Sequence, residues 1–308
     1  MMPASLRPLL VAGGLLGLAG FVPLVADGYW LSIAVTILMY VALSTSWALF
    51  SGPTHYIALS TGAFFGIGGY LVGLGMSDYD QSFWAMAAIA PFVATGLAAL
   101  IGWATLRLSG VYFVIFTLGL AEMIRNLISW IQNNFLGSRG LYVLTDLDER
   151  HIYWMLLAIT AGVFLFGWRL GRSRLGFALR ILGNDEEVAR HVGINTARTK
   201  ILMFMTTGFV AALVGAVVAP RYYYIEPNVV FSPELSFIVV IMALLGGTRR
   251  LYGPLLGVIP FTLLWEVISV SFPNATTMVL GLTFLLIVYG IPNGITGLLS
   301  GFAARRSA

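Results

Sequence analysis

Apolar stretches long enough to cross a bilayer recur along the whole chain. A hydrocarbon core about 30 Å thick offers the backbone no hydrogen-bond partner, so a chain that crosses it repeatedly does so as helices. The runs are Leu9–Val25, Trp30–Phe50, Ile57–Met76, Phe83–Leu106, Gly110–Ile131, Ile152–Trp168, Ile201–Pro220, Leu235–Gly247, Leu251–Val270 and Ala275–Leu299. Only 10% of the residues are charged and 59% are hydrophobic, against about 25% charged in soluble domains. The expected fold is an all-α integral membrane protein of about ten transmembrane helices, organised as one domain over 1–308.

Two runs leave a choice open. Leu9–Val25 competes with a cleaved signal peptide. Its length and the poor small-x-small site at Val25-Ala26-Asp27 favour a retained helix. Leu235–Gly247 has thirteen residues, roughly 20 Å as a helix. Either it begins before Pro233 or it is a half-helix.

Basic residues set the orientation. Seven of the seventeen fall in the polar stretch Arg169–Lys200. With that stretch in the cytoplasm and ten spans alternating, Arg7, Arg107, Arg249, Arg250, Arg305 and Arg306 also fall inside. Arg139, Arg150 and Arg221 fall outside, as do Asp27, Asp78, Asp80, Asp146, Asp148, Glu149 and Glu226. Both termini are then cytoplasmic.

Several chemistries are excluded. Cysteine is absent, so there is no thiolate nucleophile or cysteine metal site. The only lysine, Lys200, follows Arg198-Thr199, so GxxxxGK[ST] cannot occur and the chain has no ATP-hydrolysing P-loop. His55, His151 and His191 sit at loops or span ends without metal-ligand spacing. No catalytic constellation, metal site or cofactor is expected. The positive charge lies in loops and is not a nucleic-acid signature.

Within the polar stretch, Asn184–Asn195 reads as a short capped helix. Asn184 is the expected N-cap, Glu187 closes a capping box, and Gly193 stops the helix after about eight residues. Such an element between spans suggests a docking site for another protein.

Three charges fall inside spans. Glu122 and Arg125 are one helical turn apart in the fifth span, and Glu266 lies in the ninth. Such charges face a protein interior or a wet cavity. They either fix helix packing or line a substrate path. In the third span, Ser60-Thr61-Gly62-Ala63-Phe64-Phe65-Gly66-Ile67-Gly68-Gly69-Tyr70 is glycine-rich. Gly62, Gly66 and Gly69 suit either close helix packing or a pore-lining, broken helix.

With Gly110-Val111-Tyr112-Phe113, Thr117-Leu118 and Glu122…Arg125, then Gly176-Phe177-Ala178-Leu179-Arg180 running to Glu186…Ala189…Gly193-Ile194-Asn195, then Gly246-Gly247…Gly253-Pro254-Leu255-Leu256-Gly257, that helix completes an ordered set of motifs. The set resembles the LivM-type permease subunits of branched-chain amino acid ABC importers, over about Ser46 to Gly297. The sequence departs from the family pattern after Ser60-Thr61-Gly62, at Leu136–Leu141 and at Thr248-Arg249-Arg250.

The resemblance implies a permease of the bacterial inner membrane, importing branched-chain or other apolar amino acids. It implies two cytoplasmic ATPase subunits, a second homologous permease and an outer substrate-binding protein as partners. It makes Arg180–Asn195 the coupling segment that docks on an ATPase, with Arg180, Asp185, Glu186, Glu187, Ala189, Gly193, Ile194 and Asn195 as its key residues. Small Ala189 and Gly193 are expected to admit a partner groove. Candidates for the translocation path are Ser60, Gly62, Phe64, Phe65, Gly66, Gly69, Tyr112, Thr117, Glu122, Arg125 and Glu266. The rivals are an ABC permease for urea or short amides, and a proton-coupled secondary transporter using Glu122 or Glu266.

Overall fold

The computed structural model describes residues 13, 14, 17, 19–105, 110–135, 137, 140–271, 276–290 and 294–297. Residues 9–12, 15, 16 and 18 of the run Leu9–Val25, and the basic residues Arg7, Arg107, Arg139, Arg305 and Arg306, lie outside them. The main helices are α1 (Tyr29–Thr54), α2 (Thr61–Tyr79), α3 (Phe83–Thr105), α4 (Val111–Phe135), α5 (Glu149–Arg172), α6 (Arg174–Asn184), α7 (Glu186–His191), α8 (Thr196–Val218), α9 (Pro233–Gly246), α10 (Gly253–Ser271) and α11 (Thr276–Gly290). Among the described residues, seven helices are long and apolar enough to cross a membrane. The protein is an all-α membrane protein. The strand pair β1 (Leu141–Tyr142) and β2 (Tyr224–Ile225) joins two loops at one end of the bundle.

Helix α2 is the centre of the packing. Every residue from Thr61 to Tyr70 is buried, so no face of this stretch meets solvent or lipid. A Cβ on Gly68 would lie 2.0 Å from the Ala212 carbonyl oxygen of α8, and one on Gly215 would lie 2.1 Å from the Phe65 carbonyl oxygen. Glycines on both helices thus let the two backbones touch, which in a bilayer replaces the missing hydrophobic drive with close van der Waals packing. Gly66 accommodates the Phe231 ring in the same way, at 2.4 Å.

The structure moves the start of this span. The apolar pattern begins at Ile57, but the helix begins at Thr61 and continues unbroken to Tyr79. His55 ends α1 in the left-handed region, at φ 58°. The linker after it is pinned: Trp47 Nε1 donates to the Ala58 carbonyl (2.8 Å) and the Leu59 amide donates to Thr117 Oγ1 (3.1 Å). These bonds satisfy backbone groups that a helix would otherwise have used.

Helix α9 begins at Pro233, not before it. Proline suits the first helical position because its missing N–H needs no partner there. A separate helical turn, Pro227–Val230, precedes it. Together the two extend over twenty residues, which a continuous half-helix from Leu235 would not reach.

Candidate functional site

Two helices fill the polar stretch. Ser173 caps α6, its hydroxyl accepting from the Gly176 amide at 3.1 Å. α6 runs on through Asn184, so Asn184 is not the cap of the next helix. Asp185 takes that place: its backbone is extended, and its carboxylate accepts from the amides of Glu187 (2.8 Å) and Val188 (3.2 Å). A carboxylate is the better choice at a helix N-terminus, where it also meets the positive end of the dipole. The resulting α7 has six residues, fewer than the eight expected.

Its end follows the expectation. Gly193 has φ +81°, its amide donates to Arg190 and the Ile194 amide donates back to Ala189, both at 3.0 Å. This is a Schellman ending, which needs a residue free to enter the left-handed region. Nothing lies within 4 Å of a Cβ placed on Gly193, so the glycine serves backbone conformation here. Asn195 caps α8, accepting from the Arg198 amide at 3.0 Å.

Ala189 is fully buried. The expectation that it admits a partner is corrected: its small side chain lets α7 lie flat on the chain itself. The outward face is Glu187, Val188, His191 and Val192, with Val188 52% and Val192 63% exposed. Two β-branched apolar residues four apart, Val188 in a short polar helix and Val192 at its C-cap, were the signal for this face.

The polar stretch ends on Lys200, which is buried at the start of the second turn of α8 and is not a loop charge. Its Nζ lies 2.9 Å from Glu186 Oε1 and donates to the Tyr56 hydroxyl at 3.1 Å. Tyr56 donates to Glu186 Oε2 at 3.2 Å, and its ring lies 4.6 Å below the ammonium. Arg190 completes the group, 2.9 Å from Glu186 Oε1 on the next turn of α7. Burial raises the Glu186 carboxyl, but hydrogen bonds and charge from Lys200 and Arg190 outweigh it and hold the group below the ordinary glutamate range. Arg180 turns away from this cluster and donates to the Gly171 carbonyl at 3.0 Å.

The intramembrane candidates separate into three places. Ser60, Gly62, Phe64, Phe65, Gly66 and Gly69 are buried in α2 and at its start. The Gly62 amide donates to Ser236 Oγ of α9 at 2.8 Å. Ser60 and Phe64, with Ser46, Thr61 and Thr207, border a cavity of about 10 Å³, room for about one water. Thr117 is buried at the α4 contact with the 55–60 linker.

Glu122 and Arg125 form a 2.6 Å ion pair on α4, about a third exposed on each side. α4 buries only 17% of its apolar window within the chain, and Tyr112 is 75% exposed on it. Glu266 of α10 is elsewhere, accepting from the Tyr29 hydroxyl at 3.0 Å. The structure therefore does not bring Glu266 to the Glu122–Arg125 pair.

A family model described as branched-chain amino acid transport system / permease component matches residues 29–289. The high-affinity branched-chain amino acid transport system permease protein LivM of Escherichia coli K12 is 26% identical, over 91% of this chain and 73% of its own length. LivM of Salmonella typhimurium LT2 is 26% identical over 85% of this chain and 69% of its own. The ribose import permease protein RbsC of Haemophilus influenzae is 31% identical, but over only 31% of each chain.

Proposed function

The chain belongs to the branched-chain amino acid permease family of ABC importers, and from that premise we propose that it forms half of an ATP-driven path for a branched-chain or other apolar amino acid. It is a transport subunit, a multi-pass protein of the bacterial inner membrane. ATPase and binding-protein partners come with such a family. The specific set proposed is two cytoplasmic ATPase subunits, a second homologous permease and one outer binding protein.

One observation carries the reading: α7 is a rigid element fastened at both ends and presented outward. Asp185 fixes its start, the Gly193 turn fixes its end, and Lys200 ties Glu186 to a membrane span. A push on Glu187, Val188, His191 or Val192 is then passed to α8 instead of being absorbed by a loop. That is the mechanical requirement of a segment coupling an ATPase cycle to a membrane bundle. The proposal has Arg180–Asn195 on the cytoplasmic side, as the distribution of basic residues favours.

The open face of α4 is proposed to border the path. An ion pair in a span calls for protein or water around it, not lipid, and a second permease laid on this face supplies that cover. The amino acid substrate is favoured because the likeness to the LivM proteins covers 91% and 85% of the chain, against 72% for an autoinducer 2 import permease and 31% for the ribose permease.

The test is reconstitution in proteoliposomes with the partner subunits. ATP-dependent leucine uptake is expected, with loss of both uptake and uptake-linked ATP hydrolysis in Val188→Asp. Unchanged uptake in that variant overturns the docking role of α7. Uptake of ribose without leucine overturns the substrate, and uptake driven by a proton gradient without ATP overturns the importer reading.

A further inference from the structure

A cleft of about 550 Å³ opens at the end of the bundle that carries α6, between α1, α5, α6 and the turn before α10. Its mouth is cationic: Arg180, Arg249 and Arg250 line it beside His55, and among the described residues nothing acidic does. Its walls are apolar, including Ala48, Leu49, Leu170 and Leu251. At its deep end lies Thr45, 1% exposed, whose hydroxyl has no hydrogen-bond partner among the described residues. Thr45 is seven residues from Gly52 on the same helix, roughly 10 Å deeper.

The level of the cleft in the bilayer is marked on its own wall. Gly167 and Gly171 of α5 line it. Between them Trp168 packs under the Arg172 guanidinium, 4.1 Å from ring centroid to Cζ. A tryptophan beside a snorkelling arginine belongs at headgroup depth. Leu165 and Phe166, next along α5, are exposed apolar residues, so the cleft adjoins a surface suited to lipid tails.

We propose that this cleft binds the phosphate headgroup of an anionic phospholipid, with the glycerol esters and the upper part of an acyl chain inside it. The arginines pair with the phosphodiester. The unpartnered Thr45 hydroxyl supplies a donor below it, where ester carbonyls lie, and the leucines take the chain. Basic pockets between membrane helices are the general setting for such headgroups. The inference rests on the proposed orientation only for which leaflet supplies the lipid. An acidic face of an ATPase subunit would pair with the arginines but would not reach Thr45.

The experiment uses the intact transporter complex in neutral detergent, titrated with phosphatidylglycerol, phosphatidylcholine or glycerol phosphate and read by native mass spectrometry. Added lipid reaches the cleft from either side, so sidedness does not enter the result. Phosphatidylglycerol is expected to bind at least fivefold more tightly than phosphatidylcholine, and glycerol phosphate not at all at the same concentration. Arg249→Gln is expected to weaken phosphatidylglycerol binding about fivefold, the worth of one basic residue near an anionic surface. Arg250 also donates to the Tyr252 hydroxyl at 2.6 Å, so Arg249, which has no such tie among the described residues, is the cleaner variant. Thr45→Val is expected to weaken binding without changing the preference for negative charge. Equal binding by wild type and Arg249→Gln overturns the proposal. So does equal binding of glycerol phosphate, which would assign the cleft to a free phosphate. Absence of lipid binding in the complex, with the cleft closed by the ATPase, overturns it too.

Discussion

Lys200 Nζ and Glu186 Oε1 lie 2.9 Å apart, and the two side chains are unequally covered: Lys200 is 4% exposed and Glu186 25%. The pair therefore has a direction. Removing Glu186 leaves an ammonium buried against Tyr56 with no counter-charge. Removing Lys200 leaves a carboxylate that still reaches water, Arg190 and the Tyr56 hydroxyl. Breaking a buried pair from the side that leaves the buried charge is the costly direction, about 3 kcal/mol, whereas an apolar replacement of the lysine costs about 1 kcal/mol. Glu186→Gln is expected to lower the thermal midpoint in detergent more than Lys200→Met. A larger loss in Lys200→Met would show that the lysine is held by something other than Glu186.

The same cluster sets an acid limit. Glu186 has its carboxyl held below the ordinary value in the folded protein. A depressed carboxyl contributes stability that is complete above its unfolded value, about 4.3, and that is lost as pH falls through the lower folded value. Stability between pH 5 and 8 should be insensitive to this group, with a decline beginning below about pH 4.3. Glu186→Gln should flatten that decline. A pH-midpoint curve of identical shape for wild type and Glu186→Gln would remove the linkage.

The spans were legible because the bilayer leaves a chain few choices: apolar length is enough to announce a helix. What ends a helix depends on partners elsewhere. Ile57 and Leu59 are as apolar as the residues after them, and only Trp47 and Thr117 explain why the helix waits until Thr61. Asn184 and Asp185 are both good caps. The choice falls to Asp185 because α6 packs so closely on α1 that a Cβ on Gly183 would meet the Pro53 carbonyl oxygen at 1.8 Å, which keeps α6 helical through Asn184. Lys200 was hidden by its neighbours: in a basic stretch it counts as one more loop charge, and its burial depends on Tyr56, 144 residues away in sequence. Of the candidate site, α7 was legible from its polarity and from the stop at Gly193. Its apolar outward face and its latch were not, since both depend on which side of a six-residue helix meets the bundle.

Glycines in the two kinds of helix should respond in opposite ways. Gly68→Ala puts a methyl group 2.0 Å from the Ala212 carbonyl oxygen, and neither backbone can retreat without opening the α2–α8 contact. A loss of about 2–3 kcal/mol is expected from overpacking, seen as lower yield and midpoint. Gly119 lies on the exposed face of α4 with nothing within 4 Å. Gly119→Ala should stabilise the isolated subunit by up to about 1 kcal/mol through helix propensity. If a second permease closes on this face, the same methyl group should weaken association of the two subunits. Co-purification of the pair measures it, and undiminished association in Gly119→Ala would place the partner on another face.

Glu122 and Arg125 make the sharpest test of the path. The pair is the charge that α4 carries on its open side, and the Arg125 Nε is buried without a hydrogen-bond partner. Glu122→Gln removes the counter-charge but keeps shape, so the arginine is left facing the membrane interior alone. If the face borders a wet path, the arginine finds water and the subunit still inserts, but the field along the path changes sign. ATP-driven leucine uptake per inserted molecule should then fall at least tenfold while the membrane level stays within about twofold. The exchanged pair, Glu122→Arg with Arg125→Glu, restores neutrality on the same helical turn and should recover part of the uptake. If the pair only fixes packing, the order reverses: Glu122→Gln loses insertion, and the molecules that do insert transport at the wild-type rate. Uptake normalised to the amount of protein in the membrane separates the two outcomes.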